Sequence, residues 1–351
     1  MEVTTIVNAH LRRRHSIENP LLGNRLRMSP LGCLLLFILG TTPLLAAEYP
    51  LPPTDVDLIG RERQALVEKG DTLLDVARRF DIGQEEILLA NRQTDRWLPD
   101  VSDTVLLPTR YILPRAERRG IVINVPEMRL YYFPADYLGR YSMVVTHPIS
   151  IGRMDWSTPL GRTRIVAKVK DPSWHPPESI RLEASERGEI LPKVVPPGPN
   201  NPLGRFALRL ALPGYLIHST NKPYGVGMRV THGCVRMYPE DIEPLFQDVS
   251  LDTPVQIVDQ PIKLGWLADT LYIEVHPPLD ESDVGEETLL RKALDLVQVE
   301  HGQRPIQIKG GALHEAVRER TGLPTAIGIA LPDRALRGGS ALLDSAYLPR
   351  E

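Results

Sequence analysis

The chain has 351 residues, enough for two or three domains, with 42% hydrophobic residues and a formal net charge of −3. That mild acidity excludes nonspecific nucleic-acid binding, and 33 prolines punctuating short segments argue against a helical bundle. At the N-terminus, Arg12, Arg13, Arg14, Arg25 and Arg27 precede an apolar run from Leu31 to Leu45, and Ala46 and Ala47 offer small residues before Glu48. A basic region, an apolar run and a small-residue site describe a secretory signal peptide over residues 1–47. Its long basic region leaves Met28 as an alternative start, and an uncleaved anchor is the competing reading. The run is short for a membrane span, which needs roughly 20 apolar residues. Residues 1–47 carry five arginines and two glutamates, so removing their net +3 from −3 leaves the mature chain at −6. A cut after Ala47 also removes Cys33 and leaves Cys234 without a cysteine partner. A lone thiol in an oxidising compartment is a liability unless it is buried or used.

After Pro50, Pro52 and Pro53, a compact segment spans residues 61–110. In "VEKGDTLLDVARRF", Gly70-Asp71 turns the chain, and Thr72 with Asp75 makes a capping box. Leu73, Val76, Ala77 and Phe80 then fall on one helical face. "GQEEILLANR" predicts a second short helix with acids in its first turn, and "TVLLPTR" a closing strand ending at Pro108. The expected order is strand, helix, helix, strand. Gly70, Asp71, Thr72, Leu73, the Ala77 to Phe80 spacing, Asn91, Leu98 and Leu106-Leu107-Pro108 resemble a LysM domain. That resemblance implies binding to the glycan of peptidoglycan; the alternative is a small αβ unit that only packs on its neighbour.

From Gly120 to about Asp259 the pattern changes to strands. "GIVINV" and "MRLYYF" predict a hairpin-like pair, followed by "YSMVVTHPISIG" and "RTRIVAKVK", whose Ile165, Ala167 and Val169 alternate as on a half-exposed strand. "RFALRLAL", "YLIHST" and "PVQIVD" complete a mostly-β domain. Between Lys170 and Gly204 runs a proline-rich loop with a short helix expected near Glu178 to Gly188. A loop that long in a compact domain is commonly a functional lid. Residues 260–351 form a mixed extension of unknown role, with a strand at "LYIEVHPP", a helix at "GEETLLRKALDLVQ", a second helix over Leu313 to Arg320 and a loosely ordered end around Gly338-Gly339-Ser340. The fold class is α+β.

The chemistry gathers at "THGCVRM", residues 231–237. A catalytic cysteine needs a base, donors for the developing oxyanion and a turn that exposes sulfur. His218 ends an apolar strand, Gly233 admits close backbone approach, and Arg236 places a positive charge beside Cys234. An imidazolium or Arg236 is expected to lower the thiol pKa. Three other readings compete: Cys234 as a buried small hydrophobe, zinc held by His218, His232 and Cys234, and Arg236 paired with Glu240 or Asp241. No second Cys-x-x-Cys or His pair supplies the remaining zinc ligands, so neither a metal nor another cofactor is expected.

"IHSTNKPYGVGMRVTHGCVRMYPEDIEPLF" resembles the signature of the YkuD-type L,D-transpeptidase catalytic domain, with His218, Thr231, His232, Gly233, Cys234, Val235 and Arg236 in its pattern. "GIVINVPEMRLYYF" and "PISIGRMDWSTPLGRTRIVAKVKDPSWHPP", with Gly152, Thr158, Pro159 and Gly161, extend the likeness over residues 119–259. The ErfK/YbiS-like group of periplasmic enzymes is the most similar branch; Ser219 departs from the glycine that many of them carry. The resemblance implies a fold of a mostly-β catalytic domain preceded by a βααβ LysM domain. It implies that Cys234 is the nucleophile and His218 its base, oriented by the Ser219 carbonyl. It further implies that His232, Gly233 and Cys234 line the oxyanion hole and that Arg236 supports the pocket. The substrate implied is a peptidoglycan tetrapeptide stem, which loses its terminal D-amino acid to form an acyl-enzyme. The acceptor implied is an outer-membrane lipoprotein lysine or the diaminopimelate of another stem. Water as acceptor, making an L,D-peptidase, and a non-catalytic wall-binding protein are the alternatives.

Overall fold

The computed structural model describes residues 47–153, 156–279 and 284–332; the expected leader and the glycine-rich end lie outside the described residues. The described chain opens with β1 (Ala47–Pro50), β2 (Leu58–Gly60) and β3 (Arg63–Leu66). Two helices come after them, α1 (Leu73–Arg79) and α2 (Gln84–Ala90), then β4 (Thr104–Leu107) and β5 (Arg110–Ile112). β3 pairs antiparallel with β4, so the strand–helix–helix–strand order is present. Thr72 caps α1: its Oγ1 accepts from the Asp75 N–H at 3.2 Å, and Asp75 Oδ2 accepts from the Thr72 N–H at 2.9 Å. This reciprocal pair satisfies two amides that a first turn would otherwise leave without partners. Asn91 joins α2 to β4, donating to the carbonyls of Ile87 and Leu106 and accepting from the Leu106 N–H, each at 2.8 Å.

This small unit has its own core of Leu73, Val76, Ile82, Ile87, Val105 and Leu107, yet it is keyed into the rest of the chain. The N–H groups of Gln84 and Glu85 donate to the carbonyls of Val226 and Gly227 at 3.1 Å. Fully buried Arg129 pairs with Glu86 at 2.6 Å and lies over the Tyr111 ring. Removing either member of that pair would strand a buried charge, a change that typically costs about 3–5 kcal/mol.

Next come β6 (Gly120–Asn124), β7 (Arg129–Phe133), β8 (Met143–Pro148), β9 (Ile151–Gly152) and the long β10 (Gly161–Lys170). After α3 (Glu178–Glu186) the chain forms β11 (Phe206–Leu210), β12 (Leu216–His218), β13 (Arg229–Thr231), β14 (Val235–Arg236), α4 (Pro239–Asp248) and β15 (Pro254–Val258). Nine strands align in the order β1-β8-β7-β6-β15-β10-β11-β12-β14. Every residue of β6 and β7 is buried, and their side chains alternate between two cores. Ile121, Ile123, Leu130 and Tyr132 join Ile242 and Leu245 of α4 on one side, while Val122, Tyr131 and Phe133 join Ile59, Tyr111 and Val144 on the other. A strand covered on both faces has no polar side to display, so it reads as a continuous apolar run.

Beyond Pro261 come β16 (Ile262–Leu267), β17 (Thr270–Val275), α5 (Glu286–Gln303), β18 (Ile306–Ile308), α6 (Gly310–Glu319) and β19 (Thr325–Ala330). Their sheet runs β16-β17-β19-β18, with Leu289, Ala293, Leu313 and Val317 packed on Ile273 and Ile327. Three of these four strands were not expected. "IKLGWL" and "TAIGIA" carry interior glycines, which weaken a strand pattern. The fold demands them: a Cβ on Gly265 would lie 2.7 Å from Ile112 Cγ2, and one on Gly328 2.7 Å from Ile306 Cγ2. Buried Lys263 ties this sheet to the larger one, with Nζ 2.8 Å from Glu127 Oε2 and 2.6 Å from Glu274 Oε1. The whole is α+β, dominated by sheet.

Candidate active site

The thiol sits at the edge of the large sheet. β12 and β14 run parallel, with Ile217 opposite Val235 and His218 opposite Arg236. By strand alternation, Cys234, one residue before β14, shares a side with His218 and Arg236. The Arg236 charge is felt by both His218 and Cys234.

The loop that carries the thiol is pinned from several directions. Gly233 has φ of +96°, and a Cβ there would lie 2.8 Å from Tyr215 Cε1, so only glycine fits. The Thr231 hydroxyl donates to the Cys234 carbonyl at 2.6 Å. The buried Thr158 hydroxyl accepts from the Gly152 N–H and donates to the Gly233 carbonyl, both at 3.0 Å. Replacing Thr158 by valine leaves both backbone groups without these bonds, and stability is expected to fall by about 1–3 kcal/mol with a parallel loss of turnover. Chemical denaturation checks the first part; unchanged stability would show that the loop does not depend on this bridge.

His218 is buried, and its Nδ1 lies 2.6 Å from the Ser219 carbonyl. A carbonyl oxygen only accepts, so Nδ1 carries the ring proton and Nε2 is the basic nitrogen of the neutral ring. Burial, reinforced by Arg236, holds the imidazole pKa down to about 4. Burial also pushes the Cys234 thiol up, although a Leu216 backbone hydrogen bond and Arg236 pull the other way. At neutral pH the thiol and the imidazole therefore both rest uncharged. This corrects the expectation of a thiol pKa lowered by Arg236 or an imidazolium: the cost of desolvating a thiolate outweighs the attraction of the guanidinium. Arg236 also makes neither of the expected ion pairs. Glu240 binds Arg78 at 2.7 Å, and Asp241 joins a buried group with His147 and Asp81.

His232 faces elsewhere. Its Nε2 lies 2.7 Å from Glu183 Oε2, and its ring meets Trp156 edge-on with centroids 5.2 Å apart. Glu183 belongs to α3, inside the long proline-rich connection, and also receives Arg153 at 2.8 Å and Arg187 at 2.7 Å. The bond from Arg153, then those from His232 and Arg187, holds its carboxyl far below the usual range. The two histidines thus divide: one packs beside the thiol's strand, the other tethers α3 to the thiol loop. Sequence reasoning assigned no role to Glu183 or Thr158. The only signals were the unusual length of the α3 connection and the position of Thr158 within the family-like stretch.

Residues 118–257 match the family of L,D-transpeptidase catalytic domains. The chain is similar to "Probable L,D-transpeptidase YbiS" of Escherichia coli (strain K12), with 37% identity over 286 residues that cover 80% of this chain and 91% of that protein. It is likewise similar to "Probable L,D-transpeptidase ErfK/SrfK" of Salmonella typhimurium, with 36% identity over 297 residues, 82% of this chain and 93% of the relative. Among solved structures, the catalytic domain of the E. faecium L,D-transpeptidase aligns in full with 41% of this chain at 18% identity and a TM-score of 0.31.

Proposed function

This chain belongs to the L,D-transpeptidase family and is an L,D-transpeptidase, and from that premise we propose that Cys234 is the periplasmic nucleophile that takes up a peptidoglycan tetrapeptide stem and passes it to an amine. The observation that carries the assignment is the strand pairing that puts His218 opposite Arg236, two residues after the half-buried Cys234, with the buried imidazole's Nδ1 fixed by the Ser219 carbonyl. Cys234 gives its proton to His218 Nε2 as sulfur bonds the carbonyl carbon of the third stem residue. The oxyanion forms against the backbone N–H groups of the His232-Gly233-Cys234 loop, which Thr158 and Thr231 hold in place. The C–N bond to the terminal D-residue breaks, and the imidazolium returns its proton to that leaving amine. An acceptor amine then attacks the thioester, loses a proton to His218, and leaves the thiol restored. The acceptor is a lipoprotein lysine, the closer fit to the ErfK/YbiS-like relatives, or a stem diaminopimelate.

Incubation with purified disaccharide tetrapeptide, with and without an amine acceptor, tests this by mass spectrometry. Expected are loss of the terminal D-residue and gain of the acceptor. Free tripeptide alone, with acceptor present, would replace transfer by hydrolysis; no release at all would sink both.

The 61–110 unit is proposed as a LysM-type holder of the glycan. Its loop between α2 and β4 exposes Trp97 at 58% and Leu98 at 82%, apolar surface that a partner would cover. Trp97→Ala is expected to weaken co-sedimentation with wall sacculi by about fivefold to tenfold without affecting turnover of a soluble muropeptide. Unchanged co-sedimentation would move the attachment to another surface.

A further inference from the structure

Away from the thiol, a group of buried polar atoms that the proposed mechanism does not use gathers where β1, the turn between α1 and α2, β8 and α4 meet. Asp81, His147 and Asp241 are only 4%, 1% and 5% exposed. His147 Nδ1 lies 3.3 Å from Asp81 Oδ2 and 3.7 Å from Asp241 Oδ1. Yet Asp81 Oδ1, Asp241 Oδ2 and His147 Nδ1 make no hydrogen bond among the described residues. Asp81 is also held at φ of +55°, a strained backbone for a residue other than glycine. Burial, reinforced by Asp81, keeps the Asp241 carboxyl well above its ordinary range, whereas Asp81 is held below its own despite burial, by His147 and then by Asp241 and Arg129. Two desolvated carboxylates this close do not both ionise without a cation. Arg129 lends charge to both acids but no hydrogen bond to either carboxylate, its Nη2 bonding Glu86 and the backbone carbonyl of Asp81. The first N–H of β1, that of Ala47, does reach the group, donating to Asp81 Oδ2 at 3.4 Å.

We infer that the Ala46–Ala47 bond is the one cut when the leader is removed, and that the α-ammonium left on Ala47 becomes the counter-ion of the Asp81–Asp241 pair. Hydrolysis by a signal peptidase adds water across that bond, leaving a carboxylate on Ala46 and an ammonium on Ala47. One N–H donor becomes three, and a positive charge arrives where two buried acids have unmet acceptors. Ala47 is itself buried and sits opposite Thr146 in the sheet, so the new terminus is clamped by backbone pairing as well as by charge. The cut after Ala47 that the sequence suggested would delete the N–H that reaches Asp81. The inference rests on the proposed export and is independent of the thiol chemistry.

The full-length precursor, expressed in a host that exports it, is purified and its first residue read by intact mass and N-terminal sequencing. Ala47 is expected. A first residue of Glu48 or beyond overturns the bond assignment, and an uncut leader overturns export with it. The ion pair is read separately from a precursor with one serine inserted between Ala46 and Ala47. The extended chain is expected to melt about 3 °C or more below the one starting at Ala47, a difference that vanishes in an Asp81→Asn background. Should Asp81→Asn fail to fold, the α-amine itself reports. Pairing with carboxylates raises its pKa, so Ala47 should react with an acylating reagent at neutral pH about tenfold more slowly than the extended chain. Equal melting and equal reactivity of the two chains overturn the ion pair. So does one divalent metal retained per chain, because the cation of the group would then be the metal.

Discussion

Replacing Cys234 by alanine is expected to lower the proposed acyl transfer from a tetrapeptide stem by at least about 10⁴-fold and to change unfolding free energy by no more than about 1 kcal/mol. The first half follows from covalent catalysis: without sulfur there is no thioester to hold the stem while the acceptor arrives. The second half follows from the site. The thiol is half-buried and its polar contacts are weak, a donation to the Gly214 carbonyl at 3.6 Å beside a Leu216 backbone hydrogen bond, so alanine removes little packing. The loop keeps its shape through Gly233, Thr231 and Thr158, none of which needs the sulfur. Release of the terminal D-amino acid, measured beside denaturant unfolding, checks both halves. Turnover near the parent level would remove Cys234 from the chemistry, and a collapse of stability would make the activity loss uninformative about it.

His218→Gln is expected to lower turnover by about 10² to 10⁴, the usual effect of a positioned acid–base group. The pH dependence separates base from scaffold. With its pKa held at about 4, His218 stays neutral through the physiological range, so the acid limb of the rate profile should fall near pH 4. The alkaline limb should lie above the ordinary thiol range, because burial raises Cys234. Both limbs belong to the coupled pair. Stability has its own sign: unfolded His218 takes up a proton near pH ~6.5 while the folded ring does not, so the folded state loses stability as pH falls from there to about 4. His218→Gln removes that loss. Alkylation by iodoacetamide provides the control. If burial sets the thiol pKa, the alkylation profile of His218→Gln should resemble the parent's. A parent profile with reactive thiolate well below pH ~8 that disappears in His218→Gln would show a thiolate–imidazolium ion pair instead.

Some of the structure was legible because its causes are local. The Thr72–Asp75 cap lies within one turn, and both of its bonds are present. The apolar runs at β6 and β7 announce strands because they are buried on both faces. The strands at "IKLGWL" and "TAIGIA" were not legible, because their glycines answer to Ile112 and Ile306 across the fold rather than to neighbours along the chain.

The same division runs through the site. The order of His218, Thr231, His232, Gly233, Cys234 and Arg236 is written in one stretch, and with it the nomination of Cys234 as the reactive group. What those groups do at a given pH was not. Desolvation of His218 and Cys234 depends on how strands far apart in sequence close around them, and it reversed the expected direction of the thiol's shift. Glu183 reaches His232 across 49 residues, Thr158 reaches Gly233 across 75, and Ala47 reaches Asp81 across 34. Sequence by itself nominated the side chains proposed to carry the chemistry, because a motif is a local order of residue types. Tertiary structure alone decided their protonation, their tethers and the buried Asp81–His147–Asp241 group, because burial and long-range charge arise only once the chain has folded.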